Sequence, residues 1–173
     1  CHETVLAAID LAHRAGALVS FDPNVRLRLW DAETCRRTLR QLLPRCDVVL
    51  PGADEAELLT GESDPERAGQ EIHRLGPRLV LVKRGPEGAM AVSDDGVIRV
   101  PALHLERVVD PVGAGDGFAA GFLSGQLRGW DLRESMRLGA IVGAAAMSVS
   151  GDVEGLPTWE EAQALESSRD VAR

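Results

Sequence analysis

The stretch DPVGAGDGFAAGF, Asp110–Phe122, crowds Gly113, Gly115 and Gly117 together with Asp110 and Asp116 at the mouth of a predicted helix. Glycine weakens a helix relative to alanine, so its repeated use at a helix start needs another reason. In one reading the glycines ease a tight turn and Asp116 complements the positive end of the helix dipole. In the other, Gly113, Ala114 and Gly115 present unpaired backbone N–H groups to an anion. Two familiar phosphate loops are excluded by the letters. A Gly-Lys-Ser/Thr ending is missing, and Lys83 is the only lysine in the chain. A dinucleotide fingerprint needs glycine where Phe118 stands, and no strand with an acidic end follows at the required distance. What remains is an anion site with a carboxylate beside it. Phosphoryl transfer uses that pairing: donors for the charge, and a base for the proton of the attacking hydroxyl.

On either side of this motif, strands and helices alternate. Apolar spacing predicts a helix over residues 2–16, then a buried strand at Ala17–Phe21 ending in a DPN turn. A helix over Asp31–Leu43 and a buried strand at Asp47–Leu50 follow, the strand halted by Pro51-Gly52. Ala53–Thr60 reads as a short helix closed by Gly61, and Asp64-Pro65 as the cap and first residue of another. RLVLVK, Arg78–Lys83, is a third strand. Ala89–Ser93 and Val97–Pro101 flank Asp94-Asp95-Gly96 as a hairpin. Beyond Val109 the pattern is helical: residues 114–128, then Asp131 with Glu134 opening a helix to about Val149, and Thr158 with Glu161 opening a last one. Alternation of this kind implies an α/β fold, with a largely parallel sheet, helices on both faces and a small β-hairpin. No repeat or linker appears, so 1–173 is expected to be a single α/β domain.

Composition narrows the function classes. With 45% hydrophobic and 27% charged residues, a folded core is expected. A net charge of −8 argues against nonspecific nucleic-acid binding, which needs a basic surface. It leaves anionic small molecules open, because a few backbone amides suffice for those. No apolar run is long enough to span a bilayer and no charged-then-apolar leader is present. Cys1, Cys35 and Cys46 lack metal spacing and read as reduced thiols, which suits a cytoplasmic protein. The chain opens at Cys1 inside a helical pattern, without an initiator Met, and is read as a piece of a longer protein.

In α/β sheets ligands gather at the carboxyl ends of strands. Three loops there carry unusual chemistry: DPNVR (22–26), KRGPEG (83–88) and DPVGAGD (110–116). Taken singly, the first two are ordinary turn sequences. Their placement, each after an apolar run, favours a site.

The segment VVDPVGAGDGFAAGFLSG closely resembles the signature of the ribokinase-like (PfkB) carbohydrate kinases. The Gly-Ala-Gly-Asp core, Phe118, Gly121 and Phe122 all match. FDPNVRLRLW, LPGADEAELLTGE, LVKRGPEGAMAV and SGDVEGLP are similar to segments of its 2-keto-3-deoxygluconate kinases. The resemblance covers nearly the whole chain but only the C-terminal part of such kinases. The family's N-terminal part, which supplies much of the sugar pocket and the lid, has no counterpart here.

The resemblance implies the following roles. Asp116 is the catalytic base and also meets the sugar, and Gly113, Ala114 and Gly115 form the anion hole for the transferring phosphoryl group. Lys83, Arg84, Gly85, Pro86, Glu87 and Gly88 lie along the nucleotide, and Asn24 faces ATP. Arg26 reaches the sugar acid, where a guanidinium suits a carboxylate. Glu55 is the acidic member of an Asn-x-x-Glu motif that helps organise Mg²⁺ through water. Two letters depart from the pattern: Gly52 stands for the usual Asn of that motif, and Pro111 for the usual Thr. A monovalent cation near Asp110 and SVSG (148–151) is left open. So is the run GAIVGAAAM (139–147), which would lie by the adenine or else serve close helix packing.

The implied function is ATP-dependent phosphorylation of a sugar or sugar-acid hydroxyl, first of all 2-keto-3-deoxygluconate to its 6-phosphate. Another PfkB kinase, such as a fructokinase, is the alternative within the class. A nucleotide-binding fragment without turnover of its own is the alternative outside it. ATP, Mg²⁺ and a small sugar are the expected partners, with a homo-oligomer open for a longer parent, and no nucleic acid or membrane.

Overall fold

Three helices begin where an aspartate side chain accepts a hydrogen bond from an amide of the first turn. Asp31 Oδ1 takes Thr34 N at 2.8 Å, Asp64 Oδ1 takes Arg67 N at 2.9 Å, and Asp131 Oδ1 takes Glu134 N at 2.7 Å. Each satisfies a donor that the helix cannot pair internally. These caps are local, which is why the predicted helix starts agree with the computed structural model. It describes residues 2–105, 107–151 and 153–170. The Cys1 thiol expected from the sequence lies outside the described residues. Cys35 and Cys46 are free and buried.

The chain divides into two compact units, Cys1–Arg84 with Met90–Ile98, and Gly85–Ala89 with Arg99–Arg173. The first holds helices α1 (His2–Arg14), α2 (Ala32–Arg40), α3 (Ala53–Thr60) and α4 (Pro65–Arg74). It also holds most of one five-stranded sheet of order β1 (Ser20–Phe21), β2 (Val48–Val49), β3 (Leu79–Lys83), β4 (Ala89–Ser93) and β5 (Gly96–Val100). β1, β2 and β3 pair in parallel, Ser20 opposite Val48 and Val48 opposite Leu79. β4 and β5 are joined through Asp94-Asp95, the hairpin expected from the sequence. The core of this unit is Val49, Val80 and Val82 of the sheet against Ala56, Leu59, Ala68 and Ile72 of the helices. Asp47 secures the amino ends of the strands, accepting from Val19 N at 2.7 Å and from Arg78 at 2.9 Å.

One strand differs from expectation. Ala17–Phe21 was expected to be a buried strand, but only Ser20–Phe21 is extended and Leu18 is 70% exposed. β1 ends the sheet order and so has a single neighbour, which leaves Val19 and Phe21 only partly buried against the core. The helix expected over Asp31–Leu43 stops at Arg40, and Leu43–Arg45 forms a 3₁₀ turn around Pro44. A proline within the next turn cannot extend the hydrogen-bond ladder.

The second unit is built on α5 (Ala114–Leu127), α6 (Leu132–Ala146) and α7 (Trp159–Asp170). α5 and α6 pack through glycines. A Cβ on Gly121 would stand 2.8 Å from Leu138 O and 2.9 Å from Gly139 Cα. One on Gly143 would stand 2.8 Å from Ala114 O, and one on Gly125 would stand 2.7 Å from Ser135 Oγ. The helices are therefore in backbone contact, with Phe118, Phe122, Met136, Leu138 and Ile141 buried about the seam. This accounts for Gly139 and Gly143 within the small-residue run: they serve close helix packing.

Candidate active site

In the first unit the loops that leave the carboxyl ends of β1 and β2 and the end of β3 are tied together by charged groups. After β1, the loop Asp22–Arg26 starts with Asp22, whose Oδ2 accepts a 2.5 Å hydrogen bond from Lys83 Nζ at the end of β3. Both side chains are largely buried, 23% and 17% exposed. Burial raises the Asp22 carboxyl above its ordinary value by more than the Lys83 hydrogen bond and charge lower it. The nearby Glu55 charge adds to the rise, and the Asn24 amide opposes it.

Glu55 stands in the first turn of α3, after β2. Its Oε2 accepts from Gly52 N at 2.7 Å, and its Oε1 accepts from Val25 N at 2.7 Å. One carboxylate thus holds its own helix start and a loop 30 residues away. Asn24, the preceding residue, is the one non-glycine residue with positive φ among those described, at +42°. Asn24 and Arg26 are exposed, and Arg26 Nη1 donates to Val25 O at 3.2 Å. Gly52 replaces the asparagine of the family pattern without a steric need, since a Cβ there would meet only Glu55, 3.5 Å away.

Among the described residues no group of three or more His, Cys, Asp or Glu side chains is disposed to hold a metal. A magnesium ion bound mainly by phosphate and water needs only one or two protein carboxylates. Each Glu55 oxygen keeps a lone pair after its amide contact. The residues present fit such an ion.

In the second unit Gly85–Glu87 form a 3₁₀ turn, with Pro86 and Glu87 exposed. Gly88 follows at φ +85°, where a Cβ would stand 2.1 Å from Val100 O; only glycine fits. Further on, Gly113 is the N-cap of α5 at φ +78° and supplies no side chain to cap the helix. Gly117 N reaches Gly113 O at 2.8 Å, closing the first helical bond. The Gly115 and Asp116 amides precede that bond and belong to the donors a helix start leaves unpaired. Asp116 is exposed in this first turn.

Asp110 has a different place. Its Oδ1 accepts from Val112 N at 3.0 Å, and its own amide and that of Val109 point to Met147 O, at 3.4 and 2.9 Å. Asp110 therefore orders the loop and lies beside the end of α6, next to Ser148–Gly151. The two aspartates of the motif are thus distinct: one is spent within its loop, the other stands at the helix end.

Sequence reasoning missed Asp22 and the Val25 amide. The placement of DPNVR marked the loop but neither of these groups, whose partners lie 61 and 30 residues away. The glycines at 117, 121 and 125 repeat every fourth residue, a helix-packing pattern that could have been read from the letters alone.

Known proteins match this arrangement along nearly all of the chain. The model of the pfkB family of carbohydrate kinases matches residues 1–159. The 2-dehydro-3-deoxygluconokinase of Bacillus subtilis is 41% identical over 159 residues, 91% of this chain and 49% of that protein. An ATP-dependent 6-phosphofructokinase of Thermoanaerobacterium thermosaccharolyticum is 34% identical over 89% of this chain and 48% of its own. The crystal structure of a putative Ribokinase II from E. coli, in complex with ATP and Mg²⁺, superposes with a TM-score of 0.87 at 30% identity. That match covers 95% of this chain and 53% of the other. The chain spans about half the length of the curated relatives it matches. The α/β sheet with its flanking helices is the ribokinase-like fold, and the chain belongs to the pfkB family of carbohydrate kinases.

Proposed function

We propose that this chain is the nucleotide-binding and catalytic-base part of a sugar kinase, 1–173 acting as one α/β domain of a longer parent. The observation that carries the reading is the start of α5. Gly113 turns the chain at φ +78°, the Gly115 and Asp116 amides precede the first helical bond while Ala114 N reaches Pro111 O at 3.4 Å, and the Asp116 carboxylate is exposed beside them.

In this mechanism Asp116 accepts the proton of the acceptor hydroxyl as its oxygen bonds to the terminal phosphorus of ATP and the bond to ADP breaks. The amides of Gly113, Ala114 and Gly115 hydrogen-bond the phosphoryl oxygens as charge spreads over them, at the positive end of a 14-residue helix. Lys83, Arg84 and Gly85–Gly88 line the nucleotide, with Asn24 on the same ligand. Mg²⁺, when bound, would neutralise phosphate charge, and Glu55 would be the acidic residue that holds it through water.

The acceptor we favour is a sugar acid, 2-keto-3-deoxygluconate, phosphorylated at its 6-hydroxyl. Arg26 supports this, because a guanidinium matches a carboxylate with two parallel donors. The similarity to a 2-dehydro-3-deoxygluconokinase supports it too. Similarity to a probable fructokinase of Arabidopsis thaliana favours a neutral-sugar kinase as the second reading. The buried free thiols of Cys35 and Cys46 suit a cytoplasmic setting.

A substrate panel on the longer parent, run beside this chain, tests the proposal. It is expected to give ATP-dependent phosphorylation of sugar acids above neutral sugars. Preference for fructose would move the reading to a fructokinase. Saturating ATP with Mg²⁺ is expected to raise the chain's Tm, since ligand at 100 times its Kd adds about 2.7 kcal/mol. An unchanged Tm contradicts the nucleotide assignment. A raised Tm without turnover in either protein would leave a nucleotide-binding module.

A further inference from the structure

The loop Asp22–Arg26 is held at two points by side chains from other elements. Its first residue is fixed by Lys83, at 2.5 Å. Its fourth residue is fixed through the backbone: Val25 N donates to Glu55 Oε1 at 2.7 Å, while Val25 O accepts from Arg26 Nη1 at 3.2 Å. Val25 therefore lies between the two groups: its N–H, in the Asn24–Val25 peptide, meets the Glu55 carboxylate, and its C=O, in the following peptide, meets the Arg26 guanidinium. Glu55 is itself fixed by its second oxygen on Gly52 N, so it is a rigid anchor rather than a free acidic side chain. Between the two anchors Asn24 stands at φ +42°, in the left-handed region that asparagine enters more readily than other non-glycine residues.

We propose that Glu55 is a positioning residue for Arg26, clamping Val25 through its N–H so that the next peptide, whose carbonyl accepts from Arg26, presents the guanidinium in one orientation to the acceptor's carboxylate. This rests on the reading of Arg26 as the sugar-acid contact. It adds a role that any part played toward a metal ion does not supply. A hydrogen bond from a backbone amide to a charged carboxylate is short and geometrically exacting. Losing it frees the Val25 backbone just before the peptide whose carbonyl accepts from Arg26.

Glu55→Gln preserves size but leaves one oxygen for two amide donors. Amide hydrogen exchange on the metal-free, nucleotide-free chain reads the clamp without reference to activity. Val25 is expected to exchange roughly 10- to 100-fold faster in the variant, the loss of one charge-assisted hydrogen bond. Val80 and Val82 of β3 are expected to keep their rates. Unchanged exchange at Val25 would overturn the clamp. Uniform acceleration that includes Val82 would also overturn it, because Glu55 would then support the whole unit.

In the longer parent, Glu55→Gln is expected to weaken 2-keto-3-deoxygluconate binding by about tenfold. Combined with Arg26→Ala, it should add less than about twofold, the signature of two groups acting as one. Equal losses in both backgrounds would contradict a role through Arg26. A wild-type parent that binds no sugar acid fails the substrate reading itself and removes this role, whereas the exchange result concerns only the clamp.

Discussion

At the scale of single residues, the Asp22–Lys83 pair shows burial and charge pulling in opposite directions. The two side chains meet at 2.5 Å, yet the Asp22 carboxyl sits above its ordinary value because desolvation outweighs the ammonium's attraction. Between the ordinary 3.8 and the raised folded value, the folded state holds more protons than the unfolded chain. Asp22's contribution to stability is therefore fully present below 3.8 and declines as pH rises through the raised value. Urea denaturation of wild type and Asp22→Asn at several pH values from acid to neutral checks this. The difference in stability between them should change across that window, and parallel curves contradict the account. Asp116 stood out in the letters beside the glycine turn at a helix start, whereas Glu55 was expected only from the resemblance to the family's Asn-x-x-Glu motif. Asp22 was not legible, because its partner arrives only once β1 and β3 share a sheet.

At the scale of elements, local chemistry and tertiary cover divide the outcome. Helix starts at Asp31, Asp64 and Asp131 were readable because cap and amide are three residues apart. The buried strand expected at Ala17–Phe21 was not, because burial depends on which neighbours a strand acquires and β1 has one. The α5–α6 pair yields a quantitative test. Placing alanine at Gly121 gains about 1 kcal/mol of helix propensity. It also sets a methyl 2.8 Å from Leu138 O and 2.9 Å from Gly139 Cα, backbone atoms that can yield only if the helices part. Overpacking of that kind costs about 1–3 kcal/mol, so Gly121→Ala should lower the urea midpoint despite its better propensity. A raised midpoint would show that the seam is looser than described.

At the scale of the whole molecule, the order of elements and the glycine motif identified the fold class, and the family match agrees over residues 1–159. The candidate site was legible as three separate loops but not as an arrangement. What holds Asp22, Val25, Gly52, Glu55 and Lys83 together in the first unit is distributed over three strand ends that are remote in sequence. In the second unit, the motif's two aspartates separate by hydrogen bonding: Asp110 orders its loop, and Asp116 remains exposed at the helix end. The central claim is that Asp116 serves as the base of a sugar kinase. The direct measurement is the kcat of ATP-dependent sugar phosphorylation by the longer parent, wild type against Asp116→Asn, with MgATP affinity followed by calorimetry. The account predicts that kcat falls by about 10²–10⁴-fold, the usual worth of a positioned base, while MgATP affinity is retained. Undiminished turnover in Asp116→Asn would contradict it.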